Sequence, residues 1–169
     1  QLDMPGLDRS KARPKVKVTA PPYEPKDLLI SEGFEAAFPP TGWEIKDQSP
    51  WTWERGDYDP HSGAYYAHVE YDANFDEQDE WLLSPEFNLT EGTLEFWSFG
   101  SVYWCRDTYD NCDLNIWLVV GDVGGGDDIF LKTADADWAS SWTWAKTTID
   151  LASYLPGGPV RIGFQYAGA

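Results

Sequence analysis

Pro159-Val-Arg-Ile-Gly-Phe-Gln-Tyr166 has the period of a β-strand, and it decides the fold class. Side chains alternate across a strand, so Val160, Ile162, Phe164 and Tyr166 fall on one face, and Arg161 and Gln165 on the other. Working outward, Thr93-Leu-Glu-Phe-Trp-Ser-Phe99, Asp113-Leu-Asn-Ile-Trp-Leu-Val-Val120, Ile129-Phe-Leu-Lys132 and Trp142-Thr-Trp-Ala-Lys-Thr-Thr-Ile149 read as further strands. Ala64-Tyr-Tyr-Ala-His-Val-Glu-Tyr71 puts Tyr65, Ala67, Val69 and Tyr71 on one face and Tyr66, His68 and Glu70 on the other. Turn signals at Pro39-Pro-Thr-Gly42, Ser84-Pro85, Gly124-Gly-Gly126 and Pro156-Gly-Gly158 separate the segments. No capped stripe of helical period reaches ten residues. Short antiparallel strands with irregular links predict an all-β chain, an antiparallel β-sandwich of jelly-roll type.

Composition agrees. Of 169 residues, ten are Trp, nine Tyr and eight Phe, a supply of rings that suits strands and flat binding faces. No apolar run approaches the roughly 20 residues of a membrane-spanning helix, so no membrane span is expected. The net charge of −17 makes nucleic acid a poor partner, because a polyanion is repelled. A calcium-rich, secreted setting suits it better.

The charge is uneven. Residues 1–28 carry Arg9, Lys11, Arg13, Lys15, Lys17 and Lys26 against four acids, and residues 29–169 carry six cations against 25 acids. With Pro14, Pro21, Pro22 and Pro25, residues 1–27 read as a basic, extended arm preceding a β domain over 28–169. The arm is either a solvated tether or a strand that lies on an acidic body, its own or another copy's, with Arg13, Lys15 and Lys17 as the contacts. Pro14-Lys-Val-Lys-Val-Thr19 alternates as an added edge strand would.

Cys105 and Cys112 flank a polar turn between two predicted strands, so a disulfide there would clamp a hairpin. Two cysteines cannot form a zinc site alone, and a disulfide implies an oxidising compartment. Asn88-Leu-Thr90 matches a glycosylation sequon. The loop Gly121-Asp-Val-Gly-Gly-Gly-Asp-Asp128 is Gly-rich, but its aspartates would repel phosphate, so it reads as a hairpin turn. There is no His-Glu-x-x-His or Gly-x-Ser-x-Gly pattern, and nothing singles out a pair of carboxylates, so no enzyme is expected. Trp51, Trp53, Trp138, Trp142 and Trp144 lie in or beside predicted loops. There they either pack the sandwich or stack on sugar rings.

The order of motifs adds to this. Ser31-Glu-Gly-Phe-Glu35, Phe38-Pro-Pro-Thr-Gly-Trp43, Trp51-Thr-Trp53, His61-Ser-Gly-Ala-Tyr65, Asp79-Glu-Trp-Leu-Leu-Ser-Pro85 and Leu94-Glu-Phe-Trp97 follow one another. Over residues 29–166 the chain resembles the cleaved-adhesin, or choice-of-anchor J, family of bacterial secreted and surface proteins. The resemblance implies a non-catalytic jelly-roll module attached to, or processed from, a secreted protease or other surface protein. Its expected partners are an extracellular protein, matrix or glycan. It also implies calcium, with Glu35, Asp47 and Asp79 as ligands, and the insert after Tyr71 adds Asp72, Asn74, Asp76 and Glu77 nearby. The family's closing Leu-Asp-Asp strand is missing before Ala167-Gly-Ala169, so a truncated sheet, or one completed by another segment, is expected. Two alternatives follow: a structural subunit of an extracellular fibre assembled by strand or arm exchange, and a carbohydrate-binding accessory domain of a secreted hydrolase.

Overall fold

The computed structural model describes residues 29–47, 49–74, 77–154 and 158–168; the arm expected over 1–27 lies outside them. Among the described residues ten strands follow in chain order: β1 (Glu44–Lys46), β2 (Glu54–Gly56), β3 (Tyr66–His68), β4 (Gln78–Leu83), β5 (Phe87–Asn88), β6 (Thr93–Ser98), β7 (Cys112–Val119), β8 (Ile129–Thr133), β9 (Ala145–Asp150) and β10 (Pro159–Gly168). All pairings are antiparallel. The larger sheet runs β1-β4-β10-β7-β8, with β5 paired to the start of β10. β6 and β9 form a second sheet, and β2 and β3 a hairpin.

The segment 159–166 sits at the centre of this architecture. β10 is bonded to β4 along one side and β7 along the other. Val160 and Ile162 join Ile116 and Leu118 of β7 in the core, and Phe164 packs against them, as the alternation requires. Tyr166 extends that face, and burial pushes its phenol up to about 12. The second sheet closes over this face with Leu94 and Phe96 from β6 and Ile149 from β9. The Phe96 and Phe164 rings meet edge to face at 5.2 Å. Apolar faces of two sheets packed on each other make the sandwich.

Three expectations change. The strand predicted from Trp142 begins only at Ala145, because Trp142 has φ +60, a left-handed conformation that interrupts extended backbone. The strand predicted over 64–71 contracts to β3. The disulfide Cys105–Cys112 is present, but it clamps no hairpin: β6 pairs with β9, and β7 pairs with β10 and β8. Cys105 sits in a π-helical turn, Tyr103–Asp107, which the bond fastens to the first residue of β7. The Gly-rich loop does connect the hairpin β7–β8, braced by Asp128, whose carboxylate accepts from the Val120 and Gly124 amides at 2.9 and 2.8 Å.

Candidate binding surface

Strand alternation decides which rings reach solvent. In β6, Leu94 and Phe96 turn inward, so Thr93, Glu95 and Trp97 turn outward, and in β9 Lys146 and Thr148 do the same. Trp97 is 44% exposed. His61, from the loop before β3, stacks on it with centroids 4.0 Å apart and 20° between planes. Trp144 meets His61 at 5.8 Å, Tyr66 at 5.6 Å and Phe99 at 4.3 Å. Phe99 in turn lies 6.2 Å from Trp142, which is 67% exposed. Six rings from four segments thus make one continuous surface on the outside of the smaller sheet.

The surface is held firmly and has a polar rim. The Trp144 indole N–H donates to the Asp59 carbonyl at 2.9 Å, tying the 58–61 loop to the residue just before β9. Lys146 pairs with Glu95 at 2.8 Å, and that cation holds the Glu95 carboxyl below its ordinary range. The Tyr66 phenol is raised, first by burial and then by the negative charges of Asp57, Asp59 and Glu70. Flat apolar planes ringed by carboxylates and an ammonium suit ligands with one apolar face and a hydroxyl or cationic edge.

The tryptophans expected to face ligand divide. Trp142 and Trp144 belong to the surface. Trp51 is exposed elsewhere, lining a cleft of about 380 Å³ with Pro50, Thr52, Glu54 and Glu70. Trp53 is only 8% exposed, and its N–H donates to the Glu80 carbonyl at 2.9 Å, which removes it from any stacking face. Trp138 is buried as well and bonds Ser98 Oγ at 3.0 Å. Trp97, Phe99, His61 and Tyr66 were not singled out from sequence. The signal existed, since Leu94 and Phe96 inward oblige Trp97 and Phe99 to point out.

The residues expected to hold calcium are engaged in several ways. Both oxygens of Glu35 accept from the Ala64 amide at 3.0 and 3.1 Å, and one also accepts from Tyr65 at 3.1 Å, closing the 61–65 loop. Asp72 caps its own turn through Asn74 and accepts from Ser49 Oγ at 3.0 Å; these bonds lower its carboxyl against the opposing effect of burial, the largest single influence. Asp47 and Asp79 line a second cleft together, and Asp76 lies outside the described residues. Among the described residues no group of three or more His, Cys, Asp or Glu is placed to hold a metal.

Fold and surface together define an all-β antiparallel sandwich with an aromatic outer face. The K1 cleaved adhesin domain of Lys-gingipain from Porphyromonas gingivalis W83 has a similar structure, with TM-score 0.54 over 81% of this chain and 86% of that one, at 17% identity. That likeness is one of fold. No family model matches the chain, and no curated protein does.

Proposed function

We propose that the protein is a non-catalytic extracellular adhesion module that takes an extracellular protein, matrix or glycan ligand on the surface formed by His61, Tyr66, Trp97, Phe99, Trp142 and Trp144. The observation that carries the reading is the exposure of Trp97 and Trp142 within a fixed array of six rings. A solvent-facing aromatic patch of this kind favours association in water over isolated display. Three further observations support it: the fold shared with a cleaved adhesin domain, the disulfide, which suits an oxidising extracellular or surface compartment, and the lack, among the described residues, of a helix long and apolar enough to cross a membrane.

The test is a panel of immobilised extracellular matrix proteins and glycans probed with the full chain and with Trp97→Ala and Trp142→Ala. Each variant should lose about tenfold or more in affinity for whatever the parent binds, the cost of about 1.4 kcal/mol or more for removing an anchor ring. Binding that survives both substitutions unchanged places the ligand elsewhere. One observation favours a sugar within this class: Glu95 and Lys146 flank Trp97 across the β6–β9 ladder, and such groups bond hydroxyls beside a stacked pyranose. A hit confined to glycans, abolished by Trp97→Ala, would establish that version. Calcium is tested separately, since an ion bound only to the folded state must raise the melting temperature, and a chelator must lower it.

A further inference from the structure

Trp51, which the sequence puts forward for ligand contact, stands outside the six-ring surface with its own ring 48% exposed. It forms a wall of the cleft of about 380 Å³ that Glu54 and Glu70 also line, a volume within the roughly 300–1,000 Å³ of ligand sites. The walls are fixed from within. The Gln78 side chain, 4% exposed, donates through Nε2 to the Trp51 carbonyl at 2.7 Å and to the Glu70 carbonyl at 2.9 Å. Its Oε1 accepts from the Asp72 amide at 3.0 Å, and the Trp51 amide donates to Oγ of the buried Ser49 at 2.9 Å. Buried polar groups therefore pin the backbone on both sides of the cleft while the Trp51 indole stays in solvent. A ligand that covers a ring already held in place has little chain entropy left to oppose it.

The cleft is also anionic. Glu54 faces His68 across the β2–β3 ladder, and the imidazole lies between the two carboxylates, 3.5 Å from Glu54 and 3.7 Å from Glu70. Those separations exceed a hydrogen bond. Among the described residues no Lys or Arg forms an ion pair with either glutamate. Arg55, next in sequence to Glu54, turns to the other face of the hairpin, where it donates to the Ala36 carbonyl and lies 4.0 Å from the centre of the Tyr65 ring. An exposed indole face beside two carboxylates suits a planar cation, since a guanidinium stacks on the ring while its fork of N–H donors matches carboxylate oxygens. A neutral ligand would use the ring and leave both charges unmatched. The cleft adjoins the aromatic surface as well, because the Tyr66 ring meets the His68 ring at 5.9 Å.

We propose that this cleft binds an arginine side chain of an extracellular protein partner, its guanidinium lying on the Trp51 ring beside Glu54 and Glu70. The choice of a protein as partner rests on the adhesion role proposed above, whereas the preference for a guanidinium rests on the cleft alone. A cation over an exposed ring and a solvent-exposed ion pair are each weak. A lone arginine therefore binds only at about millimolar concentration. In a whole partner the arginine fixes the register of a larger contact, and the neighbouring rings supply most of the buried area.

The experiment titrates the full chain, labelled with nitrogen-15, with N-acetyl-argininamide and with its citrulline analogue, which has nearly the same shape and no charge. The Trp51 indole resonance, assigned by its loss in Trp51→Phe, should shift and saturate at about millimolar arginine. The citrulline analogue should bind at least about fivefold more weakly. Glu54→Gln combined with Glu70→Gln should erase that preference, and both side chains are exposed enough for the fold to survive the change. Two probes that bind alike overturn the proposal. So does an arginine shift equally large at Trp104, an exposed indole in the disulfide-linked turn, which would mark general attraction to an acidic surface. Trp97→Ala should leave the arginine titration unchanged. A panel of matrix proteins and glycans without a hit would thus remove the adhesion reading and leave the cleft standing, whereas a hit on the panel with no arginine response at Trp51 would remove the cleft alone.

Discussion

Gly100→Ala is the sharpest probe of the packing that supports the binding surface. Gly100 follows Phe99, one of the six rings, and its carbonyl accepts the Trp142 amide at 2.8 Å. A Cβ there would lie 2.3 and 2.4 Å from Cη2 and Cζ3 of Trp138, where ordinary contacts begin at 3.4 Å. The indole must retreat by about 1 Å or more, and it has nowhere to go. It is buried, its N–H is fixed to Ser98 Oγ, its carbonyl accepts from Arg106 at 2.8 Å and its amide donates to the Asp135 carbonyl at 3.1 Å. Overpacking costs typically 1–3 kcal/mol and a strained or lost hydrogen bond about 1 more. The expected loss is therefore about 2–4 kcal/mol, or a melting temperature lower by roughly 5–15 °C for a domain of this size. Thermal denaturation followed by tryptophan fluorescence reads it, with Gly126→Ala, whose Cβ would meet nothing within 4 Å, as the neutral control. Adding Trp138→Phe removes the obstructing ring atoms, so the double variant should be more stable than the two single losses predict, by at least about 1 kcal/mol. A Gly100→Ala chain as stable as the control, or strict additivity, would refute the packing argument.

Other expectations concern the disulfide-linked turn and its surroundings. Replacing Cys105 and Cys112 by Ser opens a loop of sequence separation seven and should cost roughly 2–3 kcal/mol on the chain-entropy model, measured by urea denaturation with and without reductant. Arg106→Ala removes the Nη1 donor shared by the Asp135 and Trp138 carbonyls, at 3.0 and 2.8 Å, and should destabilise by about 1–3 kcal/mol; Arg106→Lys, a single ammonium without the planar fork, should recover only part of that. The buried Asp135 carboxyl is raised above its ordinary range, chiefly by burial, so ionisation is less favourable in the folded chain than in the unfolded one. Its contribution to stability is present at acid pH and is lost as pH rises from the unfolded carboxylate value of about 3.9 through the higher folded one. Asp135→Asn should therefore gain stability relative to the parent as pH rises from 3 to 7, and a difference between the two that is flat with pH would exclude the effect.

Much of this was legible in the chain. The alternation of 159–166 placed Val160, Ile162 and Phe164 correctly, and the segments around β6, β7 and β8 lie within a residue or two of their expected limits. Period two is a local property of extended backbone, and a face buried on one side must show it. The cysteine pair was legible too, because the polar residues between them let the chain turn back and bring the two sulfurs together. What surrounds the bond was not, since whether β6 and β7 pair depends on which other strands take their edges. Residue type likewise misled at Trp53, where a ring beside a loop points inward and its N–H finds the Glu80 carbonyl.

By itself the sequence determined that this chain is all-β, that its body is strongly acidic against a basic leading segment, and which residues along each strand share a face. Tertiary structure alone decided that His61, Tyr66, Trp97, Phe99, Trp142 and Trp144 form one surface, and that Glu35 closes the 61–65 loop while Asp47 and Asp79 line one cleft. The reason is physical. Alternation and charge are written in neighbouring residues, whereas a binding surface gathers residues up to 83 positions apart, here from His61 to Trp144, and only the packing of one sheet on another sets which of them meet.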